Sequence, residues 1–211
     1  MRECLLVLAL LGIPASARAE AEPMPGPAVV VRFYKVAAPP EEFNAARRLA
    51  TRILDAAGIT VTWSGCWSES APIAPACNRP PGPNEVILHI VPATDANARD
   101  HRQSLGFSLI DGGTSTGTLA SVYADRIGAL AREADADRVG LLGRAIAHEI
   151  GHLLMGTNRH STRGLMRAVW SKRELQRNSP LDWQFSDEDA HSMRSLIEAR
   201  RLAHRAFASL P

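Results

Sequence analysis

The chain has 211 residues, of which 24 are basic and 22 acidic, and 45% are hydrophobic. That length favours one domain with a sizeable core. Near-balanced charge, with no basic block and no acidic tail, gives no electrostatic footprint for nucleic acid, and no such partner is expected.

Met1-Arg2-Glu3 is a short, weakly basic start, followed by an apolar run from Cys4 to Pro14 and small residues from Ala15 to Ala19. The run is too short to span a bilayer and ends in a cleavage-type site, so residues 1–19 read as a signal peptide cut after Ala19, or alternatively after Ala17. The mature protein is then expected to be secreted or periplasmic, free of the membrane and monomeric. Cleavage removes Cys4. Cys66 and Cys77 remain, in a Pro-rich stretch of an exported chain, and read as one disulfide.

Residues 20–27 form a Pro-rich leader, and residues 28–211 one domain. Ala28 to Val36 is β-branched and aromatic, a first strand. Pro39-Pro40-Glu41-Glu42 opens a helix whose apolar positions, Phe43, Ala46, Leu49, Ala50, Ile53 and Leu54, recur at helical spacing until Gly58. Strands follow at 59–63 and 85–92, with the cysteine loop between them. After a polar connection, Leu105 to Ile110 is a short strand, 111–117 a flexible loop and Thr118 to Ala124 a fifth strand. Arg126 to Glu133 reads as a helical turn. Arg138 to Met155 is apolar nearly all round, the pattern of a buried helix. Ser186-Asp187-Glu188-Asp189 caps a final helix running to about Phe207. A strand–helix–strand start implies a crossover and a partly parallel sheet. The expected fold is α/β (α+β), a mixed five-stranded sheet with the buried helix packed beneath it and a C-terminal helix.

The buried helix carries His148-Glu149-Ile150-Gly151-His152. Residues four apart share a helix face, so both imidazoles can converge on one zinc ion. Glu149 is rotated about 100° from His148 and sits beside the metal, placed to act as general base rather than ligand. Gly156 can end the helix, and a turn beyond it can swing His160 back as third ligand, leaving a fourth position for water.

His148-Glu149-Ile150-Gly151-His152, the nearby Gly156, His160-Ser161 and Gly164-Leu165-Met166 together resemble the metzincin metallopeptidases, matrixin-like forms especially. The strand and helix order over residues 28–207 is similar too. The resemblance implies a zinc endopeptidase with His148, His152 and His160 as ligands, Glu149 as base and Met166 as the Met-turn residue beneath the metal. Arg167–Phe185 should then wall the leaving-group side, with Trp170 and Trp183 as candidate lining residues. An extended peptide or protein substrate is expected along the strand that holds Leu105, Gly106, Phe107 and Ser108. One departure is plain. In the family pattern a Gly stands three residues, and the last ligand six residues, after the second His. Met155 and Asn158 occupy those positions here, and Gly156 and His160 lie one and two residues further on.

Two other readings compete. In a gluzincin-type peptidase a later Glu, Glu174 or Glu188, would complete the site. In an exported metal-binding module without catalysis, Glu149 would have no task. Of the other histidines, His89 reads as a strand residue, His101 as a loop residue, and His191 and His204 as surface residues of the final helix.

Overall fold

The computed structural model describes residues 26–66, 75–93 and 104–209; the expected signal peptide and His101 lie outside them. Five strands form one mixed sheet: β1 (Ala28–Val36), β2 (Thr60–Gly65), β3 (Glu85–Val91), β4 (Gly106–Asp111) and β5 (Thr116–Tyr123). Their order is β2-β1-β3-β5-β4. The first four in that order run parallel, and β4 pairs antiparallel with β5 at one edge. The mixed five-stranded α/β architecture expected from the sequence is therefore present. The hairpin joining β4 to β5 is tighter than the expected loop, because the strands claim Asp111 and Thr116 and leave a turn with Ser115 at positive φ.

The helices are α1 (Pro40–Ala56), α2 (Ala124–Ala134), α3 (Arg138–Met155), α4 (Lys172–Arg177) and α5 (Asp187–Ala208). The expected helical turn near Arg126 is a complete helix, α2, closed by Asp135 in the left-handed conformation. The segment between α3 and α5, where the sequence pattern marks no element, contains α4, which a reciprocal Ser171–Glu174 capping box starts.

Strand alternation decides the layers. Val29 and Val31 of β1, Val86, Leu88 and Ile90 of β3, and Ala120 and Val122 of β5 share one core with α1 and α3. The opposite face carries Arg32, Tyr34 and the disulfide segment. Cys66 and Cys77 are bonded, with Cα atoms 5.4 Å apart. Tyr34 Oη donates to the Cys77 carbonyl at 3.3 Å. Arg32 is fully buried; its charge is met by Glu85, and Nη1 donates to the Arg79 carbonyl at 2.9 Å. No helix among the described residues is long and apolar enough to cross a membrane.

The placement of α3 governs the site. Asp137 caps it, accepting from the amides of Val139 at 3.0 Å and Gly140 at 2.9 Å. Gly143 lets α1 approach closely, since a Cβ there would meet the Ala46 carbonyl oxygen at 2.7 Å. At the other end Gly156 takes φ +63°, and a Cβ there would lie 1.9 Å from the Ser115 carbonyl oxygen. Backbone conformation and space both demand glycine. Gly156→Ala should therefore destabilise the fold by at least about 2 kcal/mol, because αL strain adds to a backbone collision. Urea unfolding followed by circular dichroism measures this, and an unchanged midpoint would contradict the assignment.

Candidate metal centre

His148, Glu149 and His152 lie on the third and fourth turns of α3, and all three side chains are buried. Their polar atoms need partners, since burial without them costs several kcal/mol. For the histidines the partners are main-chain carbonyls. His148 Nδ1 lies 2.9 Å from the Leu165 oxygen, and His152 Nδ1 lies 2.8 Å from the Thr157 oxygen. A carbonyl oxygen can only accept, so each Nδ1 carries the proton and each Nε2 keeps its lone pair.

Those two Nε2 atoms face each other at 3.1 Å. Two unprotonated nitrogens that close repel unless a cation lies between them. Two ligands of a tetrahedral zinc at about 2.05 Å each would sit about 3.3 Å apart. His160 completes the group: its ring centroid is 4.9 Å from that of His152 and 5.4 Å from that of His148. One ligating atom from each of the three histidines falls within 4.8 Å of the others. Among the described residues this is the one group of three or more ligating side chains that could hold a metal ion. Three imidazole donors, two of them with tautomers fixed by main-chain carbonyls, suit zinc. His160 is itself exposed, so the cluster opens to solvent on its side.

The longer spacing between His152 and His160 is accommodated by a loop held at several points. Past Gly156, the Thr157 carbonyl turns back onto His152, and the Arg159 amide donates to Thr157 Oγ1 at 3.2 Å. Ser161 donates its amide to the Met166 carbonyl at 2.8 Å and its hydroxyl to Asp189 Oδ1 at 2.7 Å. Asp189 is buried in the first turn of α5, where it also accepts from the Ser186 hydroxyl at 2.7 Å. The tie between Ser161 and Asp189 was not read from the sequence; a Ser directly after the third histidine and an Asp three residues after a capping Ser were the available signals.

Met166 is fully buried against α3. A Cβ on Gly151, between the two helical histidines, would come within 2.9 Å of Met166 Sδ. The methionine thus packs against the motif helix at Gly151. Gly164, at φ +72°, gives Leu165 the direction from which its amide donates to the Gln184 carbonyl at 2.7 Å while its carbonyl accepts from His148. The same carbonyl accepts from Trp170 Nε1 at 3.3 Å, and the Trp170 ring stands edge-on to His148 at 5.7 Å. Trp170 flanks the cluster, whereas Trp183 is core, with Arg144 stacked 4.1 Å from its ring centre.

Glu149 turns away from solvent toward β4. Ser108 Oγ lies 2.8 Å from Glu149 Oε2 and 2.8 Å from the Glu149 carbonyl oxygen. Gly106 leaves the space the carboxylate occupies, since a Cβ there would be 2.8 Å from Oε1. Of the four residues expected to meet substrate, Gly106 and Ser108 therefore aim their side-chain face at Glu149. Phe107 points to the opposite sheet face, in a small cluster with Val91 and Tyr123, and Leu105 is partly buried against the main core. What β4 can offer a ligand is its main chain.

Glu174 and Glu188, the alternative third ligands, stand outside the cluster. Glu174 closes the cap of α4 and pairs with Arg167 at 3.0 Å, and Glu188 is exposed in the first turn of α5. His89 lies on β3, and His191 and His204 are exposed on α5.

No family model matches the chain, and the search of curated proteins found no match.

Burial sets the protonation of the metal-free cluster. It pushes His148 down to about 3 and His152 down to about 4, and lowers His160 as well. It pushes Glu149 up to about 8, against the Ser108 hydrogen bond, which favours the ionised form. In the unfolded chain the histidines take protons near 6.5 and the glutamate near 4.5. Below pH 6.5 the unfolded state binds the extra histidine protons, so the histidines make stability fall as pH falls. Glu149 works the other way: its contribution is full below pH 4.5 and is lost as pH rises through 8. Histidines outnumber the glutamate from pH 4.5 to 6.5, and the glutamate acts alone from 6.5 to 8. The Tm of chelator-treated protein should peak near pH 6.5, and Glu149→Gln should abolish the decline above it. Calorimetry across pH 4 to 9, at intervals of about half a pH unit, tests both points; an identical pH profile for the variant would contradict them.

Proposed function

We propose that this chain is an exported zinc-dependent endopeptidase of the metzincin type. The observation that carries the proposal is the pair of Nε2 lone pairs held 3.1 Å apart by Nδ1–carbonyl bonds, with His160 alongside and Glu149 on the adjoining helix position. The Cys66–Cys77 disulfide supports an oxidising compartment. Met166 beneath Gly151, and an antiparallel edge strand beside the motif helix, support the metzincin reading.

His148, His152 and His160 would hold the ion, each through one ring nitrogen. When bound, zinc supplies Lewis-acid chemistry, bringing the pKa of a water to about 7 and polarising the substrate carbonyl. Glu149 takes the proton of that water on its carboxylate and then delivers it to the leaving amine nitrogen. Its burial suits both halves of that task. The surroundings favour the protonated carboxyl, and a neighbouring dication favours the ionised one, so the group is poised between them. The edge of β4 pairs with an extended substrate backbone, and Trp170 stands beside His148.

Purified protein loaded with zinc should cleave unfolded protein substrates in a chelator-sensitive manner. Glu149→Ala should lower the rate by at least about a hundredfold while retaining one zinc per chain. His160→Ala should lose the zinc. Cleavage indifferent to chelator and to Glu149→Ala would overturn the peptidase reading; zinc binding with no Glu149-dependent cleavage would leave a binding module instead. Zinc retained in His160→Ala would overturn the third ligand.

A further inference from the structure

Within the peptidase reading, on which this step rests, we infer that Ser108 is a positioning residue: its hydroxyl holds the Glu149 carboxylate in place from the very strand that receives the substrate.

The β4–β5 register shows why the two tasks meet in one residue. Tyr123 donates its amide to the Leu105 carbonyl at 2.8 Å, so Leu105 and Tyr123 form a hydrogen-bonded pair. In an antiparallel ladder such pairs alternate with pairs whose main-chain groups point away from each other. Leu105 and Phe107 therefore spend their main-chain groups on β5, and Gly106 and Ser108, opposite Val122 and Ala120, turn theirs to the open edge. Among the described residues no strand lies beyond β4. The amides and carbonyls free to pair with a peptide thus belong to the two residues whose other face touches Glu149.

That contact is close. Ser108 Oγ lies 2.8 Å from both Glu149 Oε2 and the Glu149 main-chain oxygen, so its single proton is shared between the carboxylate and the helix turn. A Cβ at Gly106 would sit 2.8 Å from Oε1 and 2.9 Å from Cγ of Glu149, so the carboxylate is walled on that side by a residue with no side chain. Both side chains are buried: Ser108 is 7% and Glu149 6% exposed. No other protein group donates to the Glu149 carboxylate among the described residues. Substrate pairing to Gly106 and Ser108 would settle β4 and, through the hydroxyl, settle the rotamer of the base. Docking and base alignment become one event, which ties the chemical step to correct substrate register.

The test compares wild type, Ser108→Ala and Ser108→Thr, each loaded with zinc, in steady-state cleavage of one peptide. Ser108→Ala should lower kcat about ten- to hundredfold, with KM within about twofold and zinc affinity unchanged. Ser108→Thr, which restores the hydroxyl, should recover most of the loss. A crystal structure of zinc-loaded Ser108→Ala should show the Glu149 carboxylate displaced or in more than one rotamer. Wild-type kcat in Ser108→Ala, or an unmoved Glu149 in its crystal structure, would overturn the positioning role alone. A wild type without zinc-dependent turnover would overturn the peptidase reading itself. A kcat loss that follows zinc loss or unfolding would mark Ser108 as merely structural and also overturn the inference.

Discussion

Two hydrogen bonds from imidazole to main chain organise everything around the cluster. Because Leu165 and Thr157 contribute carbonyl oxygens, each bond dictates which ring nitrogen is protonated and therefore which one can ligate. Helical spacing alone brings two rings near each other but leaves their tautomers and rotation free. The carbonyls remove that freedom, and they exist in the right place only because the chain leaves α3 through a left-handed Gly156 and passes back beneath it at Leu165. The path of the 157–166 loop therefore helps fix how the helical imidazoles face each other. Ser161, anchored to both Met166 and Asp189, keeps that path from relaxing into solvent.

The cluster is electrostatically uncomfortable without a cation. Two nitrogen lone pairs converge, three imidazoles are held neutral, and a carboxyl is kept protonated by its surroundings. A single dication would remedy all of these, meeting the lone pairs and favouring the ionised carboxylate. A ligand that binds only the folded state stabilises it by mass action. Elsewhere in the core the Arg32 charge is met by Glu85 and the Arg79 carbonyl, while Arg32 Nε and Trp183 Nε1 are buried without a hydrogen-bond partner among the described residues.

The two-residue lengthening between the second and third histidines has a structural answer. Extra chain would ordinarily let His160 drift, yet its ring stays within about the same reach of both helical rings. The added length is absorbed in a compact turn in which Thr157 serves twice, by its carbonyl to His152 and by its hydroxyl to Arg159. On the opposite side of the motif, β4 plays an equally specific part, since Gly106 and Ser108 shape the niche of Glu149.

Much of this was legible in the chain. Alternating β-branched runs, the 3.6-residue pattern of α1 and the uniform apolarity of α3 placed five strands and the main helices, because local periodicity reports which face is buried. His148, Glu149 and His152 were legible because their geometry is set within one helix. His160 was legible as a candidate only, since no local rule says where a loop goes after a helix ends. Tertiary packing alone decided that its ring returns to the other two, that Leu165 and Thr157 supply the carbonyls, that α2 and α4 are true helices and that Trp183 is core. It likewise turned Gly106 and Ser108 toward Glu149, a contact that spans 41 residues in the chain. Spacing encodes what neighbouring residues share; which distant groups meet depends on how the layers pack, and that is where the return of His160, the surroundings of Glu149 and the tautomers of His148 and His152 were decided.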